Sequence, residues 1–252
     1  MCGKTAVANL SWAEVYAWAE GLAPPAAFPA DPADRINVSP SRLRRKSEPD
    51  SMVWETLPVS VAEEGVDLPT EAVWPFLPFW SRGRLPMNKS GRLISTANAR
   101  LRRDEKPFAP MFLASWRKGL RMVVWVSWFY EFDGREHPQV PYAVFPLGAP
   151  FWAMAALGSR LPNGGPSEYS VAVITVEPNE VLRSVGHHRS PALLRDPAEV
   201  ECWLHGSEDE ALELLRPYPE ETMGVESVPM GIKIPGNQNV ELPAVLRGRA
   251  GV

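Results

Sequence analysis

A cysteine stands directly behind the first methionine, in Met1-Cys2-Gly3-Lys4. Removal of Met1 would leave Cys2 with a thiol and a free α-amine on adjacent carbons. Their ordinary pKa values are about 8.5 and about 8, so mild activation makes both nucleophilic near neutral pH. Such a 1,2-aminothiol attacks an aldehyde through nitrogen and closes through sulfur to a five-membered thiazolidine, which an internal cysteine cannot do. A position that merely tolerates a small residue would look the same, so the rest of the chain has to decide.

Three further places put polar residues where chemistry could use them. Glu131 lies in "SWFYEFDG", at the end of a run of large apolar residues. It is either a strand-end carboxylate facing water or a buried general acid or base. His187 and His188 are two of only four histidines and stand together in "VGHHRSPALL". They fall between an expected strand and an expected helix, where sites often lie, although loop filling is an equal alternative. No Cys, His or Asp partners stand at metal-ligand spacing, so no metal and no cofactor is expected. Asn98 precedes Arg100, Arg102 and Arg103 in "STANARLRR". The amide could orient a polar group while the arginines hold phosphates. Just upstream, Trp74, Phe76, Phe79 and Trp80 could stack unpaired bases, or could simply be core. Basic and aromatic segments side by side favour single-stranded nucleic acid more than either does alone.

The elements that must position these residues read as α+β. The chain has 252 residues, enough for one large domain, and a single domain over 1–252 is the simpler organisation. Its 27 prolines imply many loops and edge positions rather than long helices. Two cysteines make no disulfide framework, which fits a reducing cytoplasm. No secretory signal is visible and no apolar run reaches the roughly 18 residues of a membrane span, so no membrane is expected. The net charge of −4 hides a segregation. From Arg82 to Arg121 there are eleven Lys or Arg against two acids, +9; from Asp196 to Glu226 there are ten acids against one Arg, −9. A basic stretch in a mildly acidic protein suits a phosphate-binding face.

Residues 11–21 read as a helix with Ser11 as N-cap and Glu14 completing a capping box. "MFLASWRKG", "DPAEVECWLHG" and "SEDEALELLRPY" read as helices, the last two capped by Asp196 and Ser207. "SMVWETLPVSVA", "VPYAVFPLG", "FWAMAALGS" and "YSVAVITVEP" read as strands, and "LRMVVWVSWFYEFDG" as one buried strand turning at Asp133-Gly134. The turns between the later strands suggest an antiparallel meander. The fold expected is a strongly bent, barrel-like, mainly antiparallel β core with peripheral helices. Cys202 reads as a helix cysteine without a role.

These pieces, in this order, resemble the SOS-response-associated peptidase (SRAP) family, which contains proteins that shield abasic sites in single-stranded DNA. The landmarks are "MCG", "RINVSP" at 35–40, "VWPFLPFW" at 73–80, "NAR" at 98–100, "FYEF" at 129–132, "AALGS" at 155–159, "HHRSP" at 187–191 and "GNQNVEL" near the end. The resemblance implies that Cys2, exposed by loss of Met1, is the nucleophile. It implies that Asn98 holds the amine and the aldehyde, that Glu131 is the acid/base, and that His187 is the histidine of an H-x-R-x-P motif. It places Asn37, Pro40 and Arg100 along the DNA path, with Lys4 where the family usually has Arg. Trp80, Arg102 and Arg189 join that DNA-binding set. The partner implied is single-stranded DNA with abasic sites, held by a monomer. The chain departs from the family pattern around Glu131 ("VSWFYEF" for "ADGFYEW") and after "NAR", where it reads Leu-Arg-Arg. Two rivals use the same residues differently: an N-terminal-cysteine amidohydrolase without DNA, and a silent single-strand-binding protein.

Overall fold

The computed structural model describes residues 3–43, 52–102, 106–135, 137–162 and 167–251. Cys2 and Arg103 lie outside them. The first half of the chain contains β1 (Thr5–Val7), α1 (Trp12–Trp18), β2 (Arg35–Val38), β3 (Arg42–Leu43), β4 (Met52–Val53), β5 (Thr56–Glu63), β6 (Val66–Val73), β7 (Asn98–Arg100) and α2 (Pro110–Arg117). The second half contains β8 (Arg121–Val126), β9 (Trp128–Phe132), β10 (Pro141–Pro146), β11 (Trp152–Arg160), β12 (Tyr169–Val176), α3 (Glu180–Ser184), β13 (Ser190–Pro191), β14 (Leu193–Leu194), α4 (Pro197–His205), α5 (Glu208–Glu213), β15 (Met223–Ser227) and α6 (Ala244–Ala250).

Five strands close a ring in the order β12-β6-β5-β8-β11 and back to β12. The strands β8, β11 and β12 are buried almost throughout, as continuous apolar runs covered on both faces should be. Helix α4 packs against β8 from outside, with the Trp203 indole donating to the Met122 carbonyl at 2.8 Å. Pro69 is tolerated inside β6 because β12 pairs with β6 only at Ala72 and Val73, leaving Pro69 on an open edge. A second sheet runs β15-β10-β9-β1-β2.

The expected α+β architecture with a bent, barrel-like core is present, with four differences. The single strand expected over "LRMVVWVSWFYEFDG" is two. Ser127 breaks it: its hydroxyl donates to the Ala8 carbonyl at 2.7 Å and accepts from the Ala8 N–H at 2.9 Å, turning the chain from the barrel into the second sheet. The meander is therefore divided, because β9 and β10 pair with each other and not with β8 and β11. Two pairings are parallel, β12 with β6 and with β7. Finally, α1 has no capping box. Ser11 makes no side-chain cap; the Trp12 N–H is satisfied instead by the Asp31 carboxylate, 2.8 Å away on the proline-rich stretch. The box forms at α5, where Ser207 and Glu210 cap each other.

Strand β9 separates two apolar clusters. Trp128 and Tyr130 face one, with Ala6, Phe145 and Leu246; Phe129 faces the barrel-side core. Alternation puts Glu131 on the same side as Phe129.

Candidate active site and nucleic-acid face

Glu131 is fully buried, 0% exposed, so it does not face water at the strand end. Its Oε2 lies 2.9 Å from His187 Nε2. A carboxylate stripped of water needs such a partner. The other ring nitrogen, His187 Nδ1, is 2.8 Å from the Arg189 carbonyl. A carbonyl only accepts, so Nδ1 carries the hydrogen there. Nε2 is then the ring nitrogen turned to the Glu131 carboxylate, in contact at ion-pair distance. The arrangement can deliver or withdraw a proton without water.

The N-terminal strand is laid against this pair. β1 runs antiparallel to β9, with Thr5 opposite Phe129, and the Tyr130 N–H donates to the Lys4 carbonyl at 2.9 Å. The backbone ahead of Thr5 is thereby directed along β9 toward Glu131. The Lys4 side chain leaves toward β2, donating to Asn37 Oδ1 at 3.0 Å and Ser39 Oγ at 2.7 Å. Burial, then the nearby Arg42 cation, lowers its pKa to about 8, with Glu55 opposing.

His187 follows Gly186, which has φ +73°, at the end of α3. The loop does not lie between a strand and a helix, as expected, but between α3 and β13. His188 is exposed and stacks on His187, with ring centroids 5.3 Å apart. Its pKa is lowered by partial burial, then by the neighbouring His187 and by the Arg189 and Arg100 cations. Arg189 is buried; it donates to Glu177 at 2.8 Å and to the Thr175 carbonyl. Burial, then Arg100, lowers its pKa, and Glu177 opposes that. These neighbours describe an electropositive corner at the end of β12, suited to an anion.

Two concavities meet there. One, of about 680 Å³, is lined by Asn98, Arg100, Arg102, Phe112 and Glu177 among others. The second, of about 410 Å³, is lined by Arg135, Arg183, His187, His188 and Glu177. Glu177 borders both. Strand β7 carries Asn98 and Arg100 into the first by pairing with β12, Asn98 opposite Val173 and Arg100 opposite Thr175. Both Arg100 and Arg102 are exposed.

The aromatic segment divides. Trp74 and Phe76 are core, while Phe79 and Trp80 stand out at 75% and 48% exposure on a 3₁₀ turn. Pro40 is half-buried. Asn37 does not reach the surface. It is 1% exposed, and its amide nitrogen is held by the carbonyls of Ile232, Ile234 and Asn237 at 2.8–3.1 Å. Its geometry is that of a support for Lys4, not of a surface contact. Arg189 is likewise a buried brace whose guanidinium is spent on Glu177 and Thr175. Arg121, counted in the basic stretch, belongs to the other end of the molecule: it donates to the Gly206 and Ser207 carbonyls and lies over the Trp116 and Trp203 rings.

Sequence reasoning missed Glu177, Ser39, Asp133 and Arg135. For Ser39 the signal was available in "RINVSP"; for the others no motif marks them.

A model of the family described as SOS response associated peptidase (SRAP) matches residues 1–234. Among characterised relatives, the chain is 30% identical over 166 residues to the abasic site processing protein HMCES of Xenopus tropicalis, covering 57% of this chain and 48% of that protein. It is 28% identical over 167 residues to HMCES of Gallus gallus, with the same coverage. The chain thus spans about half the length of these relatives. A crystal structure from Bordetella bronchiseptica has the same fold, with TM-score 0.67 at 16% identity over 91% of this chain and 100% of that one. A phage-related protein of the same organism superposes with TM-score 0.64 at 20% identity, over 95% and 100%.

Proposed function

This chain belongs to the SOS response associated peptidase family, and from that membership we propose that it processes abasic sites in DNA by capping them through Cys2. The observation that carries the reading is the buried Glu131–His187 pair at the end of the strand along which the N-terminal backbone runs. After loss of Met1, the Cys2 amine attacks the aldehyde carbon of the ring-opened abasic sugar, giving a carbinolamine. Glu131 and His187 protonate the departing oxygen, water leaves, and a protonated imine remains. The thiol proton passes to the pair, and the thiolate adds to the imine carbon to close a thiazolidine. One water is released per adduct. Asn98 orients the amine and the sugar, while Arg100, Arg102 and Trp80 hold the flanking single strand by its phosphates and bases. An abasic nucleotide has no base to unstack, so presenting its sugar costs less than flipping an intact one. The relatives named for abasic-site processing support the substrate; the chemistry at Cys2 rests on residue types and on the pair beside it.

The test is intact mass of the protein alone and after incubation with a single-stranded oligonucleotide bearing one abasic site. The expected result is loss of Met1, then a gain equal to the oligonucleotide less one water, absent in Cys2→Ala. Equal adduct from Cys2→Ala would overturn the reading. Turnover of amide substrates by mature protein that forms no adduct would favour the amidohydrolase.

A further inference from the structure

The Glu131–His187 pair joins two separate elements, β9 and the loop after α3, so something must fix their separation. Asp133 stands two residues after Glu131 and is buried. Its carboxylate accepts from the Arg135 backbone N–H at 2.9 Å and from the Arg135 side chain, Nε at 2.9 Å and Nη2 at 2.5 Å. The same Nη2 donates to the Ser184 carbonyl, the last residue of α3, at 2.7 Å. From the other side, Gly186 presses on this carboxylate so closely that an added Cβ would lie 2.1 Å from Asp133 Oδ1 and 2.8 Å from Arg135 Nε. Gly186 also sits at φ +73°, a conformation open to glycine. Its N–H and that of His187 close the end of α3 by donating to the Arg183 and Leu182 carbonyls, each at 2.9 Å. One carboxylate therefore touches the residue before His187, is two residues from Glu131, and is tied through Arg135 to the end of α3.

We propose that Asp133 is a positioning residue: with Arg135 it clasps the His187 loop to the end of β9 and sets the Nε2-to-carboxylate distance of the Glu131–His187 pair. The inference rests on the reading above that this pair moves the proton. Asp133 touches no reacting atom in it. The Arg135 hydrogen bonds hold the Asp133 carboxyl below the usual carboxylate range, so the clasp stays charged at neutral pH. Misplacing a catalytic group by even 1 Å costs up to about 100-fold in rate, which is the scale at which such a clasp matters.

The test compares Asp133→Asn with wild type on abasic single-stranded DNA. Asn keeps the size but turns an N–H₂ toward Arg135. The rate of adduct formation at saturating DNA should fall by roughly 10- to 100-fold, while the DNA concentration for half-maximal rate changes less than about twofold. In a His187→Gln background, Asp133→Asn should have no further effect, because its influence passes through His187. An equal multiplicative loss in that background, or an unchanged rate in the single variant, would overturn the proposal. If Asp133→Asn lowers the melting temperature so far that it does not fold, Arg135→Gln, which leaves the carboxylate in place, takes the same comparison. A wild type that forms no adduct would defeat the reading of the pair without deciding the clasp. The imidazole ¹⁵N resonances of His187 then decide it: Asp133→Asn should move them, and unmoved resonances would overturn it.

Discussion

In the reaction proposed above, Glu131 and His187 act as one unit, because the buried carboxylate and the imidazole stand 2.9 Å apart. Glu131→Gln keeps the shape but removes the acid/base carboxylate beside His187. The rate of adduct formation should drop by about 100-fold or more, read on denaturing gels, with affinity for intact single strands unchanged. Lys4 gives a pH dependence of definite sign. Its pKa is lowered from 10.5 to about 8, so the buried charge it holds on Asn37 and Ser39, behind the proposed DNA face, is present below pH 8 and lost above it. Noncovalent affinity for single-stranded DNA should therefore weaken between pH 7 and pH 9, and Lys4→Arg should flatten that profile. Stability runs the opposite way. A base depressed in the folded state is penalised while charged, so the penalty is full below pH 8 and is relieved as pH rises toward 10.5. An affinity profile that is already flat in wild type would contradict this account of Lys4.

Among the elements, β1 matters more than its three residues suggest. It sits between β9 and β2, so its register decides what the N-terminal backbone meets. Ser127 fixes that register from the break between β8 and β9. Its hydroxyl is bonded to both backbone groups of Ala8, and it is buried. Ser127→Ala should leave those groups unsatisfied and cost about 1–3 kcal/mol, measured by denaturant unfolding. A loss within error would mean that β1 is held by its strand pairs alone. Sequence pattern found the apolar run from 120 to 132 but not its break, because a serine inside such a run looks like any small strand residue. The same limit applied to α1. Ser11 and Glu14 have the capping-box spacing, yet a distant carboxylate, Asp31, reached the first turn instead.

At the scale of the whole molecule, the basic segment is not one face. Arg121 is folded into the acidic end as a brace beneath Trp116 and Trp203, whereas Arg100 and Arg102 are exposed beside the larger concavity. Only the second kind can release counterions from DNA. Arg100→Ala and Arg102→Ala should each weaken noncovalent binding and flatten the dependence of log K on log salt by about one. Arg121→Ala should lower the melting temperature and leave that slope unchanged. A reduced slope for Arg121→Ala would mean the DNA path extends to the other end of the molecule.

The residues themselves determined a good deal. The apolar runs announced β8, β11 and β12, the helix signals announced α2, α4 and α5, and ordered landmarks from "MCG" to "GNQNVEL" announced the family. These are local or additive signals that survive in one dimension. Whether Glu131 faced water, which aromatic side chains were core, and which arginines were braces depended on what the chain brings back from far away. Trp74 and Trp80 are alike in sequence and opposite in exposure because Trp74, directly after the barrel strand β6, packs into the main core with its indole donating to the Ala97 carbonyl, while Trp80 stands on an exposed turn. Asp133 reads only as a turn residue, and Arg135 and Gly186 carry no pattern, until a hairpin end and a helix end are placed in contact. The site is a meeting of β9 with the loop after α3, and such a meeting is set by long-range packing, which the order of residues encodes only through the fold.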